Sequence, residues 1–245
     1  MPLTLAELAT HIPASIHLFE KYDFNYYQNG KQTFKEACEE KGLSFFDIDK
    51  ELNQAQKNTK ESYPLTLDDM GIDHLIDFIN GQYHCNEAQI LSLIQSQIQQ
   101  LLNKSECEEY LMVLLKEVEQ KFSDLTEKLI HHCKKEDQIL FPYMRKLFEL
   151  KRDKSVMSSS KTISLIKNPI RVLEAEHVQA ANILSDIKKV ANDFTIPSTA
   201  TKEYTLLMES LKEFEKDLHM HLHIENNILF PKLIALEEEL NNRIK

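Results

Sequence analysis

HCKKEDQILFP, residues His132 to Pro142, and HLHIENNILFP, residues His221 to Pro231, are two copies of one pattern. Each sets a His four residues before a Glu, giving His132 with Glu136 and His221 with Glu225, and each closes on Leu-Phe-Pro. The copies lie 89 residues apart. Residues at i and i+4 stack on one face of a helix, so each pair can grip a single centre. One such pair is usually a surface hydrogen bond. Two copies with the same tail point to something else.

The apolar spacing around each copy says where the pairs face. One segment reads Leu115, Val118, Phe122, Leu125, Leu129, His132, Glu136, Ile139, and the other Tyr204, Leu207, Leu211, Phe214, Leu218, His221, Glu225, Ile228. Two further segments carry one His each on the same kind of stripe. They read His84, Ala88, Leu91, Ile98 and Ile170, Leu173, His177, Ala181, Leu184, with His84 and His177 93 residues apart. The His and Glu residues thus stand where a core stripe calls for leucine. A bare carboxylate there would cost several kcal/mol or be forced to protonate. Cations are the economical explanation.

Around these stretches the chain reads as four long helical segments. Helix A is expected over about Leu67–Leu102, opened by Thr66-x-x-Asp69 and bent near Gly81. Helix B, opened by Ser105-x-x-Glu108, runs to about Leu150. A Ser- and Lys-rich loop covers residues 152–167. Helix C starts at Asn168-Pro169 and ends near Asn192, and helix D runs from about Ala200 to the C-terminus. Pro142 and Pro231 should kink or end helices B and D. Four long amphipathic segments with short connections predict an all-α fold, a four-helix bundle over residues 65–245. Before it, capping boxes at Thr4-x-x-Glu7 and Ser44-x-x-Asp47, a turn at Gly30 and a helix end at Gly42 predict a small helical domain over residues 1–60. The polar stretch from Asn53 to Tyr63 reads as its linker.

Composition agrees. Four glycines in 245 residues is roughly 2 %, against a usual ~7 %, which disfavours turn-rich β structure. Neither GxGxxG nor a Walker loop occurs, so phosphate cradles are excluded. The net charge of −10 argues against nucleic acid or an anionic membrane surface as partner. No window reaches ~18 uninterrupted apolar residues, and the N-terminus lacks the features of a secretory signal. Cys38, Cys85, Cys107 and Cys133 form no CxxC pair, so a zinc site built from thiolates is not expected and a reducing, cytoplasmic setting is.

Four His and two Glu exceed one tetrahedral site. They suit two metals sharing two bridging carboxylates, and imidazole with carboxylate but no thiolate fits iron or manganese, with iron favoured by the histidines. The expected ligands are His84, His132, Glu136, His177, His221 and Glu225. Solvation is expected for His131, His219 and His223. His11, His17 and His74 read as surface or N-terminal packing residues, and Glu87, three residues after His84, as an additional carboxylate within reach.

At these residues the chain resembles the hemerythrin-like di-iron proteins that repair iron–sulfur clusters, the repair-of-iron-centres family. The resemblance rests on QYH at His84, on the two stretches quoted above, on EAEH at His177, and on LAELATHIPASIHLFEKYDFNYYQNGKQTFKEAC over Leu5–Cys38. It covers nearly the whole chain. It implies a non-haem di-iron centre with two iron ions, oxo- or hydroxo-bridged as well as carboxylate-bridged, in a protein that restores clusters damaged by nitrosative or oxidative stress by supplying iron. Damaged iron–sulfur proteins are then the partners, nitric oxide or oxygen the small ligand, and a homodimer stays open. The alternatives are a nitric oxide reductase and a sensor of nitric oxide or oxygen. One departure is clear. Where the family usually carries a cysteine pair, this chain has Tyr27 and Gln28, which removes any thiol chemistry there.

Overall fold

The computed structural model describes residues 3–58, 67–104, 109–152 and 166–244. The expected cap residues Thr66 and Ser105 and most of the 152–167 loop lie outside them. Among the described residues everything regular is helical, apart from an isolated bridge between Thr4 and Thr33. None of these helices is long and apolar enough to cross a membrane.

The N-terminal helices are α1 (Leu5–His11), α2 (Ala14–Lys21), α3 (Phe34–Glu40) and α4 (Phe45–Asn58). Full capping boxes open α1 at Thr4 and α3 at Thr33, each closed by a Glu three residues on. Gly42 takes φ +66°, the left-handed conformation that ends α3 without a Cβ penalty. These helices enclose an aromatic core of Phe19, Phe24, Tyr26 and Phe34. The expected linker is corrected in part. The stretch from Asn53 continues α4 to Asn58, because its Gln, Ala and Lys residues are good helix formers whose polarity only marks an exposed face.

The four long segments form a bundle. Helix A is α5 (Ile72–Ile79) and α6 (Cys85–Leu102), and helix B is α7 (Glu109–Lys135) and α8 (Phe141–Arg152). Helix C is α9 (Lys167–Val190), and helix D is α10 (Lys202–Ile224) and α11 (Phe230–Ile244). Helix α7 packs along α6 and α9, α10 along α6 and α9, and α8 against α5 and α11.

Single π turns join the halves of A, B and D, at Asn80–His84, Glu136–Leu140 and Glu225–Leu229. The Phe141 N–H donates to the Glu136 carbonyl and the Phe230 N–H to that of Glu225, five residues back. Of the expectation that Pro142 and Pro231 kink or end their helices, the second half is corrected, since helical turns run on past both prolines. In α geometry a proline ring strikes the carbonyl four residues back. A preceding π turn inserts one extra residue and carries the helix past it. The insertion also shifts the stripe. Ile139 is 70 % exposed and Leu140 is buried in its place. In α6, beyond its π turn, the stripe steps from His84 to Glu87 and Leu91, so Ala88 is exposed while Glu87 faces inward.

The apolar interior consists of two clusters. One holds Leu91, Leu129, Ala180 and Leu222, and the other Ile79, Leu140, Leu173 and Ile228. In every helix the polar residues of the repeated pattern fall between the two. Apolar side chains pack above and below them.

Candidate metal centre

All six expected ligands meet at that boundary. Helix A brings His84, B brings His132 and Glu136, C brings His177, and D brings His221 and Glu225, and all six side chains are buried. They form two overlapping groups, His84–Glu136–His221–Glu225 and His132–Glu136–His177–Glu225, whose ligand atoms lie within 4.8 Å of one another. Both carboxylates belong to both groups. Glu225 turns Oε1 toward His221 Nε2 at 3.2 Å and Oε2 toward His177 Nε2 at 3.2 Å. Glu136 Oε2 stands 3.3 Å from His132 Nε2 and 3.4 Å from His84 Nε2.

Two observations test the fit to a cation. The four carboxylate oxygens of Glu136 and Glu225 are buried with no partner in hydrogen-bond geometry, although imidazole nitrogens stand close by. The imidazoles also face each other through the same atom. His132 Nε2 is 2.8 Å from His177 Nε2, and His84 Nε2 is 3.2 Å from His221 Nε2. Outer partners fix which nitrogen carries the proton. His84 Nδ1 lies 2.7 Å from Asp137 Oδ1, His132 Nδ1 3.0 Å from Glu176 Oε2, and His177 Nδ1 2.8 Å from Asn226 Oδ1. These oxygens accept, so each Nδ1 donates and each Nε2 turns a lone pair inward. The lone pairs of His132 and His177 that face each other, the lone pair that His84 turns inward and the two orphaned carboxylates form a donor set for cations. With nitrogen and oxygen donors and no thiolate, the set fits two borderline-to-hard divalent ions.

The charges follow. Burial pushes the Glu225 carboxyl up, but His221 and His177 more than reverse this and hold it well below the usual carboxylate range. Glu136 is lowered in the same way, against burial and the Glu225 charge, by His132 and His84. Burial alone would depress His132 and His84. The carboxylates outweigh it and raise them to about 9 and about 10. Without a cation, protons on His84 and His132 balance the buried carboxylates.

The repeat extends to the surroundings. Phe141 stacks on His84 and Phe230 on His177, with ring planes 13° and 6° apart. The Leu-Phe-Pro tails therefore wall the histidines of the neighbouring helices. Asp137 and Asn226 occupy matching positions and perform matching tasks. At another pair of matching positions the tasks differ: Glu176 bonds His132, whereas Tyr83 stacks on His221 with centroids 4.8 Å apart. A cleft of ≈ 300 Å³ reaches His132 and His177 from the surface, past Asp124, Glu127, His131 and Glu176.

Sequence reasoning missed Asp137, Glu176 and Asn226. Their signal was adjacency, since each directly neighbours a ligand. Two expectations are corrected. His219 and His223 are buried rather than solvated. His219 stacks on Tyr27 at 3.9 Å and lies 3.0 Å from Glu20, while His223 packs on Tyr26, so the N-terminal helices cover them. His131, His11, His17 and His74 are exposed. Glu87 stands outside both ligand groups and accepts the Cys133 thiol at 2.7 Å, where burial pushes that thiol's pKa up.

The family described as "Hemerythrin HHE cation binding domain" matches residues 87–233, a span holding five of the six ligands. Relatives extend the likeness to the whole length. "Iron-sulfur cluster repair protein YtfE" of Escherichia coli O81 is 32 % identical, covering 95 % of this chain and 97 % of the relative. The protein of that name from Citrobacter koseri is 31 % identical over 95 % and 97 %. A "Probable iron-sulfur cluster repair protein" of Haemophilus influenzae is 28 % identical over 94 % and 96 %. The chain belongs to the hemerythrin-like iron–sulfur cluster repair family. The matched span lies within the helical bundle.

Proposed function

We propose that this chain holds two iron ions between its histidine pairs and yields iron to iron–sulfur proteins damaged by nitrosative or oxidative stress. The observation that carries the reading is the sharing of Glu136 and Glu225 by both groups of a buried, histidine-lined centre, in a chain similar over its length to proteins named for cluster repair. His84 with His221 and His132 with His177 would each hold one ion, with the two carboxylates bridging. Bound there, iron supplies a labile cargo and a redox-active centre. The protein's own part is to exclude water with its two apolar clusters, to fix the Nε2 lone pairs inward through Asp137, Glu176 and Asn226, and to offer carboxylates that can shift between one ion and two. The cleft at His132 and His177 gives an ion a route to solvent. It also admits a diatomic gas, which supports a second reading, turnover of nitric oxide.

The test is transfer. The iron-loaded chain is mixed with a cluster enzyme inactivated by nitric oxide, and activity recovered is followed beside iron lost. Recovery matched to iron loss, and absent in His132→Ala, is expected. Catalytic consumption of nitric oxide without recovery would favour the second reading.

A further inference from the structure

The partners that fix the three histidine tautomers are not equivalent. Asp137 and Glu176 are carboxylates, which accept whichever oxygen they present. Asn226 has an accepting end and a donating end, and a half-turn about its last bond would point N–H₂ at His177. His177 Nδ1 would then have to accept, its proton would move to Nε2, and its lone pair would leave the centre.

One contact prevents that turn. Asn226 Nδ2 donates to the backbone carbonyl of Tyr27 at 3.0 Å, and a carbonyl can only accept. The amide end is thereby assigned, Oδ1 is left for His177 Nδ1 at 2.8 Å, and His177 Nε2 faces inward. Tyr27 belongs to the N-terminal part of the chain, 199 residues away in sequence. Its loop is seated by a few polar contacts. The Asn25 side chain accepts from the Gln28 N–H, the Gly30 carbonyl accepts from the Ala6 N–H, and the Tyr26 carbonyl accepts from Asn227 Nδ2. Gly30 approaches so closely that a Cβ would stand 2.2 Å from Asn227 Oδ1. Open space flanks the loop, a cavity of ≈ 250 Å³ lined by Tyr27, Gln28 and His219 and a cleft of ≈ 830 Å³ lined by Gln28, Gly30 and Asn226. Besides these bonds, Tyr26 is buried in the aromatic core and Tyr27 stacks on His219, so the loop is held at its two tyrosines and open on either side of them.

We propose that Asn226 is a positioning residue that couples the seating of the 25–30 loop to retention of the metal ion held by His132 and His177. The inference rests on the two-ion reading of the centre. Displacing the loop frees the Asn226 amide to turn and releases that ion while the one on His84 and His221 stays.

The experiment measures release of ferrous iron from the anaerobically loaded full-length chain to a colorimetric chelator, with urea midpoints recorded for each variant. Outer partners of metal-bound histidines are typically worth about 10–100-fold in metal affinity. Asn226→Ala should therefore release one of the two ions roughly 10–100-fold faster. Gly30→Val, which forces the loop or Asn227 to move, should speed the same ion and add nothing on top of Asn226→Ala. Asn226→Asp should restore wild-type release, since a carboxylate accepts from His177 at either end, and should make release indifferent to Gly30→Val. A purely structural role would give additive losses and no such rescue. Asn25→Ala, which unties the same turn, replaces Gly30→Val should that variant not fold. A wild-type chain that never holds a second ion overturns the two-ion reading and this inference with it. A two-ion wild type matched in release by Asn226→Ala, or additive effects of Gly30→Val and Asn226→Ala, overturns this inference alone.

Discussion

Each of the six residues that converge at the centre breaks a rule, a polar side chain on a stripe that wants leucine. What decides their behaviour is orientation, which no spacing reveals. Asp137, Glu176 and Asn226 are ordinary polar residues in the sequence and become significant only where an imidazole Nδ1 meets them. The bridges give the sharpest test at this scale. Glu136→Ala or Glu225→Ala should reduce bound iron to one ion or none, while the exposed His131→Ala stays at two. Metal analysis per chain checks both, and equal loss in all three would mean the wrong helix face. The raised histidines give a pH test of the metal-free protein. His132 and His84 stand at about 9 and about 10 when folded, above an ordinary 6.5. The protonated form is therefore favoured by folding. Its stabilising effect is complete below about 6.5 and is lost as pH climbs through about 9 and 10. Urea midpoints of the metal-free protein should be higher at pH 6 than at pH 10.5. Cations must displace those protons, so iron affinity should fall as pH is lowered through the same window.

Helix existence and order followed from amphipathic spacing and caps, and α9 and α10 start within two residues of their expected positions. The π turns did not, because a reading at 3.6 residues per turn has no place for an inserted residue. Ile139 was misplaced for that reason, whereas Ala88 was misplaced because the stripe of α6 steps three residues from His84 to Glu87 rather than four. The turns matter to the site, since His84, Glu136 and Glu225 each lie in one. Deleting Gln138 should restore α geometry in helix B and swing Phe141 away from His84. Helical circular dichroism should survive while iron content drops. Truncating the stacked rings acts through packing as well. Phe141 is 2 % exposed and Phe230 0 %, and Phe→Ala at either should cost about 3–5 kcal/mol in urea unfolding. A smaller cost would mean that the cavity collapses.

Across the molecule, we propose the division into residues 1–60 and 65–245 as two units, joined where α10 meets the N-terminal helices. Nothing in the sequence announces that junction, because its contacts pair residues about 200 positions apart, such as Glu20 with His219 and Tyr26 with Asn227. Histidines that seemed solvated on α10 are instead its packing surface. A chain beginning at Leu65 should keep the bundle's helical signal but lose iron faster than the full chain, since Asn226 loses its Tyr27 anchor. Metal bound only by the folded state adds stability by mass action, about 4 kcal/mol at free metal 1,000 times its Kd, and chelation should lower the midpoint accordingly. The central claim is a two-ion centre that shares two carboxylates. Its most direct measurement is iron per chain in anaerobically purified, iron-reconstituted protein, read beside the same value for Glu225→Ala. The account predicts two ions in the wild type and one or none in the variant. A single ion in the wild type, or two in both, would contradict it.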